Sequence, residues 1–280
     1  MKTILLPFHD DDAAEAALAT AHLVATRFDS YLEGLLVRRT PVIVAGEGIA
    51  LPAESLTQLA SDEDRIAEAG RRFTKFTDTK GIPYREVTFT REKVTAGWRE
   101  VEGQEGEIVG EYGRLFDLVV IARIGPRGGA DWQATCEAAL FESGRPVLIA
   151  PTVAPQGLGD TVVIAWNGST ETARAVALGM PFLTQAVSVL VLTVENGTVP
   201  GPSGEQMANH LVRNGINATA RTISPGDLSV GEAVLAEAKN VGADLLIKGA
   251  YTQHRLRQMI FGGATRHILN HAQLPVLMAH

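Results

Sequence analysis

The chain has 280 residues, a formal net charge of −7, 45% hydrophobic and 20% charged residues, the composition of a folded globular protein of roughly two domains. Its negative balance repels nucleic acid and anionic membrane, and no apolar stretch approaches the ~20 residues of a membrane helix, so neither is expected as a partner. The one cysteine, Cys136, excludes an intrachain disulfide and a thiolate zinc site; it reads as a small buried hydrophobe and fits a cytoplasmic location.

The opening MKTILLPFHDDD has one lysine and a short apolar run before three acids, which predicts a buried strand rather than a signal peptide. Asp10, Asp11 and Asp12 stand at the start of an Ala-rich helix, where capping and dipole complementation account for them more simply than a cation site. After the second strand, RRTPVIVAGEGIALPAESLTQLASDED reads as an irregular excursion leading into a helix near Ser55–Thr77. The first half then runs through DLVVIARIG, from Asp117, to a closing GRPVLIAP, from Gly144. Two prolines and two glycines in PTVAPQGLGD interrupt any regular element, so the chain is expected to divide into domains at 1–150 and 160–280, joined by a linker at 151–159.

In the second half the pattern predicts strands at Val162–Trp166, Ser188–Val194, Ala218–Ile223, Asp244–Lys248 and Pro275–Ala279. Helices are predicted at Thr170–Leu183, Gly204–Asn214, Val230–Val241 and Gly263–His271. Runs such as SVLVLTV lack polar alternation, as strands do when helices cover both faces of a parallel sheet. The alternation of strand and helix gives a doubly wound α/β layer architecture.

The halves repeat one another. KTILLPFHDD parallels DTVVIAWNGS, DLVVIARIG parallels DLLIKGAYT, and GRPVLIAP parallels AQLPVLMAH. Asp117 to Pro146 spans 29 positions and Asp244 to Pro275 spans 31, so order and spacing both match. The expected fold is two tandem doubly wound domains, each a five-stranded, mainly parallel sheet with helices on both faces.

In such sheets ligands sit beyond the carboxyl ends of the strands. Three loops of the second half reach that edge. In AWNGST, Asn167 can hydrogen-bond a sugar hydroxyl or a phosphate-bound ion, or simply make an Asn-Gly turn, with Ser169 or Thr170 capping the next helix. In TVENG, the backbone near Val194 can face a flat base, or be only a strand end. The third is IKGAYTQHRLRQMIFGGATRHIL. Gly249 lets the backbone bend, and the helix starting near Gly263 offers unpaired N–H groups to an anion, with His254, Arg255 and Arg257 between them. The structural alternative is a tight turn at Gly249, close helix packing at Gly262 and Gly263, and solvated arginines. No Walker motif is present. The sequons at Asn167, Asn196 and Asn217 read as turn chemistry or chance matches.

These residues, on a duplicated β/α layout, resemble the universal stress protein family over about the whole chain, and most strongly in the second half. Many members carry Gly-x2-Gly-x9-Gly-Ser/Thr, then a helix and a final PVL strand. Here Gly249-Ala-Tyr-Thr252 is followed by nine residues, Gly262-Gly263, a helix and LPVLMA. Thr252 replaces the second glycine, Gly263 replaces the Ser/Thr, and Thr265 lies two residues on. The resemblance implies an adenine nucleotide alpha hydrolase-like fold. It also implies ATP or another adenine nucleotide as ligand, held by Asn167, Val194, Gly249, Thr252, Gly262, Gly263 and Thr265. Asn167 stands where the family usually has Asp, which weakens the case for bridging Mg. In the first half Pro126 lacks an N–H, Asp131 brings negative charge, and the second glycine signature is missing, so that half is expected to bind no nucleotide.

The resemblance further implies a stress-response regulatory or protective protein, with an unidentified protein partner. The closing strands PVLIA and PVLMA are expected to pair as an internal pseudo-dimer, and a homodimer stays open. A ligand-free scaffold of the same fold is the alternative. A nucleotide hydrolase is the third reading, but the second-half loops show no convergent acid pair; Asp227 and Glu195 are isolated and read as surface residues.

Overall fold

The structure, a computed structural model, describes residues 1–8, 13–38, 53–85, 93–123, 130–250 and 263–280. Five strands and four helices of the first half run in chain order as β1 (Thr3–Pro7), α1 (Ala14–Phe28), β2 (Tyr31–Arg38), α2 (Ala53–Thr79), β3 (Thr95–Glu102), α3 (Glu105–Tyr112), β4 (Leu118–Ile121), α4 (Ala130–Glu142) and β5 (Val147–Ile149). The second half repeats this as β6 (Thr161–Ala165), α5 (Thr170–Leu183), β7 (Ser188–Val194), α6 (Gly204–Arg213), β8 (Ala218–Ile223), α7 (Val230–Asn240), β9 (Leu245–Gly249), α8 (Gly263–His271) and β10 (Val276–Ala279). α2 extends beyond the expected Ser55–Thr77 at both ends. Asp10, Asp11, Asp12 and the glycine loop of the first half lie outside the described residues.

All ten strands form one sheet, ordered β3-β2-β1-β4-β5-β10-β9-β6-β7-β8. Each half has the same internal order, and all neighbours within a half are parallel. The exception is the seam. There the closing strands pair antiparallel, Val147 with Met278, Leu148 with Leu277 and Ile149 with Val276. The expected pairing of PVLIA with PVLMA is thus present inside one chain, and two five-stranded sheets become one.

Successive strand residues point to opposite faces, and here both faces are buried. Ile4, Leu6, Val189 and Val191 join a core with α1, α2, α5 and α6, whereas Leu5, Leu190 and Leu192 join a core with α3, α4, α7 and α8. The unbroken apolar runs of the sequence follow from this. Local signals set the helix starts: Ser203 and Ser229 each close a capping box, with Gln206 and Glu232 respectively.

Equivalent aspartates do equivalent work. Asp117 accepts from the backbone N–H groups of Lys2 and Thr3 at the entry to β1. Asp244 accepts from those of Gly159, Asp160 and Thr161 at the entry to β6. The halves are also tied by Arg27, whose guanidinium donates to the carbonyls of Leu158, Gly159 and Gln185 and to the Asp160 carboxylate, at 2.7–3.0 Å. Beside it Phe28 and Phe182 pack edge to face, 5.0 Å between centroids.

Candidate functional site

β9, β6 and β7 are adjacent, so their carboxyl ends place Gly249, the turn after Ala165, and Val194 along one edge of the second half. At the centre, the chain leaves β6 through Asn167 and Gly168, the latter at φ +84°. The Asn167 side-chain oxygen accepts from Thr172 Oγ1 (2.7 Å) and from Ser169 N–H (3.2 Å), and Ser169 Oγ caps Thr172 N–H (3.2 Å). Asn167 is thereby oriented by the first turn of α5. The loop after β7 closes over this turn: Val199 N–H donates to the Asn167 carbonyl at 2.9 Å, and a Cβ on Gly201 would lie 2.1 Å from the Gly168 carbonyl oxygen.

Val194 ends β7 with its side chain in the core and its carbonyl accepting from Gly197 N–H at 3.2 Å. Asn196 between them sits at φ +65°, so its NGT sequence is turn chemistry. Asp227 and Glu195 are both exposed, as expected of surface residues.

Gly249 ends β9 as expected, but its freedom from a side chain serves close approach rather than a left-handed turn. A Cβ there would lie 2.5 Å from the backbone nitrogen of Thr172 and 2.8 Å from its hydroxyl. The structure therefore brings Asn167, Thr172 and Gly249 into one wall. Gly263, at the start of α8, is exposed, and among the described residues a Cβ there would meet nothing within 4 Å. Packing does not require glycine at that position. Thr252 and Gly262, with His254, Arg255 and Arg257, lie outside the described residues.

Thr265 is buried, and its hydroxyl accepts from Lys248 Nζ at 2.9 Å. Lys248 Nζ also donates to the Gly249 carbonyl at 2.6 Å. Lys248 is 7% exposed, and burial pushes its amine down to about 7. Sequence reasoning missed both Lys248 and Thr172. The available signal was a lysine inside the apolar run DLLIKGA, where the repeat DLVVIAR has isoleucine.

That repeat can be followed through the sheet registers. Leu118 pairs with Ile4 as Leu245 pairs with Val162, and Val147 pairs with Val119 as Val276 pairs with Leu246. Lys248 and Gly249 therefore correspond to Ile121 and Ala122, and, counting back from the matched prolines Pro146 and Pro275, Thr265 corresponds to Cys136. Ile121 and Cys136 are buried in the apolar core, where burial pushes the Cys136 thiol up to about 12. In place of a basic link, the first half ties its loop by Trp132 Nε1 donating to the Ala122 carbonyl at 2.6 Å.

Among the described residues no group of three or more His, Cys, Asp or Glu is placed to hold a metal, and no helix is long and apolar enough to cross a membrane. A model of the universal stress protein family matches residues 226–280, the segment holding β9, α8 and β10. No curated protein matches the chain. Among solved structures it is similar to a universal stress protein from Archaeoglobus fulgidus DSM 4304, at 15% identity and a TM-score of 0.70, over 99% of this chain and 97% of that one. It is also similar to a functionally unknown protein from Pseudomonas aeruginosa PAO1, at 13% identity and a TM-score of 0.57, over 100% of this chain and 92% of that one. The chain thus has the α/β fold of a solved universal stress protein along its whole length, and its residues 226–280 match the universal stress protein family model.

Proposed function

We propose that this is a stress-response regulatory or protective protein that binds an adenine nucleotide in its second half, 160–280, with 1–150 as a structural partner across the linker 151–159. The ribose and base lie against Asn167 and the end of β7 near Val194. The phosphates take the start of α8, between Gly249 and Gly263, with Thr252 and Gly262 as further contacts. The observation that carries this reading is the start of α8. Every other α-helix among the described residues has an acid in its first turn by sequence: Glu15, Glu54, Glu105, Asp131, Glu171, Glu205 or Glu232. α8 has none, and its first residue is exposed, so the positive end of its dipole is left for an external anion.

The Thr265 hydroxyl acts from below through Lys248 rather than on the ligand. Asn167 supplies no carboxylate, which weakens the case for a bridging Mg. The occupied site is the surface that a protein partner reads. Isothermal titration of the full chain with ATP, ADP and AMP, with and without magnesium, tests this. Heat of binding that is lost in Gly263→Asp is the expected result, since a carboxylate there opposes the phosphate; absence of heat with all three nucleotides rejects the site.

The scaffold reading draws on a different observation. β5 and β10 already pair with each other, so a homodimer built through the closing strands has no edge left to use. Any larger assembly would be made through other surfaces, and sedimentation over a range of concentrations tests for one.

A further inference from the structure

Lys248 is a buried lysine with no carboxylate bonded to it among the described residues. A neutral amine has two N–H donors, and the structure provides two acceptors, the Gly249 carbonyl and Thr265 Oγ1. A protonated amine has three, and no third acceptor is present among the described residues. The described residues thus complete the neutral form and leave the ammonium one bond short among them. The two acceptors stand on either side of the glycine loop: Gly249 where the chain leaves β9, and Thr265 in the first turn of α8. A single side chain therefore fixes the span between the loop's two ends.

The fold does not require this arrangement. The first half builds the same strand and helix with Ile121 and Cys136 in the corresponding places, both buried and apolar. Desolvating an amine costs free energy that an isoleucine does not. Retaining it directly beneath an anion-seeking helix start is explained if the charge is used there.

We propose that Lys248 is a positioning residue of the second-half site, holding the two ends of the glycine loop at their working separation, and that binding of a phosphate-bearing ligand is coupled to uptake of a proton by its amine. This rests on the anion site described above and adds its regulation. A phosphate at the start of α8 supplies the countercharge that the buried ammonium lacks, so ligand and proton each strengthen the binding of the other. The other groups around Lys248 do not serve as that countercharge. The flanking strand segments Thr161–Ala165 and Val276–Ala279 hold no charged residue. Of the helices covering this face, α8 carries Arg266, His267 and His271, α7 carries Glu232, Glu237 and Lys239, and α3 and α4, which cover the strands of the first half, carry Glu105, Glu107, Glu111, Glu137 and Glu142; the buried Arg123 donates to the Leu269 carbonyl of α8 and adds a cation rather than a countercharge. Glu237 pairs with Arg221, and Glu232 caps α7 while His267 and His271 help to hold its carboxyl low. Glu171 and Arg174 lie on α5, which packs on the opposite face.

The test compares the full chain with Lys248→Met and with the double variant Lys248→Ile/Thr265→Cys, which copies the pair that folds in the first half. ADP is titrated at pH 6.5, 7.5 and 8.5 in buffers of different ionisation heat. Protonation of ADP itself is common to all three proteins and cancels in the difference. The parent is expected to take up about half a proton more than either variant at pH 7, rising toward one between pH 7.5 and 8.5, and to lose roughly tenfold in affinity toward pH 8.5 relative to them. Equal proton uptake with ADP still bound overturns the proposal and leaves the nucleotide site standing. No binding by the parent at any pH overturns the site and the proposal together. A second measurement needs no variant: the lysine 13Cε resonances are followed through a pH titration. Lys248 should titrate well below an ordinary lysine in the free protein and move upward with ADP. A Lys248 resonance that does not move on saturation with ADP overturns the coupling.

Discussion

The two halves fold alike but bury different polar groups. In the second half the buried polar pair is Lys248 and Thr265, under the candidate anion site, where the first half has Ile121 and Cys136. The first half instead buries two charged groups: Glu33, on β2, which accepts from Tyr31, Tyr112 and Arg99 at 2.6–2.9 Å, and Arg123, just past β4, which donates to the Leu269 carbonyl of α8 at 3.4 Å. By register with β1 and β6, Glu33 corresponds to Leu190. The same register sets Gly34 against Val191; the missing side chain admits Phe73 and Trp98, each 2.7 Å from where a Cβ would lie. With the fold as a constant, each departure marks a local commitment. Glu33 and its aromatic neighbours pack into the outer edge of the first half, whereas Lys248 and Thr265 lie under the candidate site of the second.

Exchanging these residues tests the contrast. The largest effect is expected from Gly249→Ala, which restores the methyl that Ala122 carries. Because the new atom would meet the Thr172 backbone at 2.5 Å, stability should fall by about 3 kcal/mol, read as a lower denaturation midpoint. An unchanged midpoint would mean that β9 and α5 can part freely. Arg27→Ala comes next. It removes all the guanidinium bonds that join the halves on the α1 side, and should cost about 2 kcal/mol and split unfolding into two transitions by calorimetry.

Lys248→Met should stabilise the ligand-free protein near pH 7, on the order of 2 kcal/mol. The sign follows from the depressed amine. Between about 7 and the ordinary lysine value the unfolded chain holds a proton that the folded chain does not, so parent stability rises with pH through that window. Below it the full burial cost is present, and above it none is. Methionine has no such dependence, so the stability gap measured by thermal melts should narrow from pH 7 toward pH 10. The smallest change is expected from Glu33→Leu, which copies Leu190. Replacing a buried carboxylate by an apolar side chain is often near neutral, so the cost should be about 1 kcal/mol or less. Tyr112, pushed up to about 12 by burial and then by Glu33, should titrate lower in this variant by ultraviolet absorbance.

Much of the fold could be read locally. α5, β7, β8 and α8 have the bounds expected of them, Thr170–Leu183, Ser188–Val194, Ala218–Ile223 and Gly263–His271. Serine caps and unbroken apolar runs are signals within a few residues, and they decide where such elements start and stop. The site was less legible because its chemistry depends on what covers what. Lys248 in isolation is one polar letter in a strand; only α8 lying over it makes it a buried amine. Gly249 looked like a hinge, whereas its constraint is Thr172, distant in sequence. Thr265 could be read as a candidate hydroxyl, but not that the hydroxyl faces inward to Lys248.

Because the antiparallel seam of β5 and β10 lies within a single polypeptide, the halves meet at a local concentration fixed by the tether rather than by expression level. Dilution does not separate them. In an assembly of identical subunits each substitution is made twice; here it is made once. That asymmetry lets one half give up its glycine signature while the other retains a loop with an amine beneath it, and it sets the proposed stoichiometry at one nucleotide per chain.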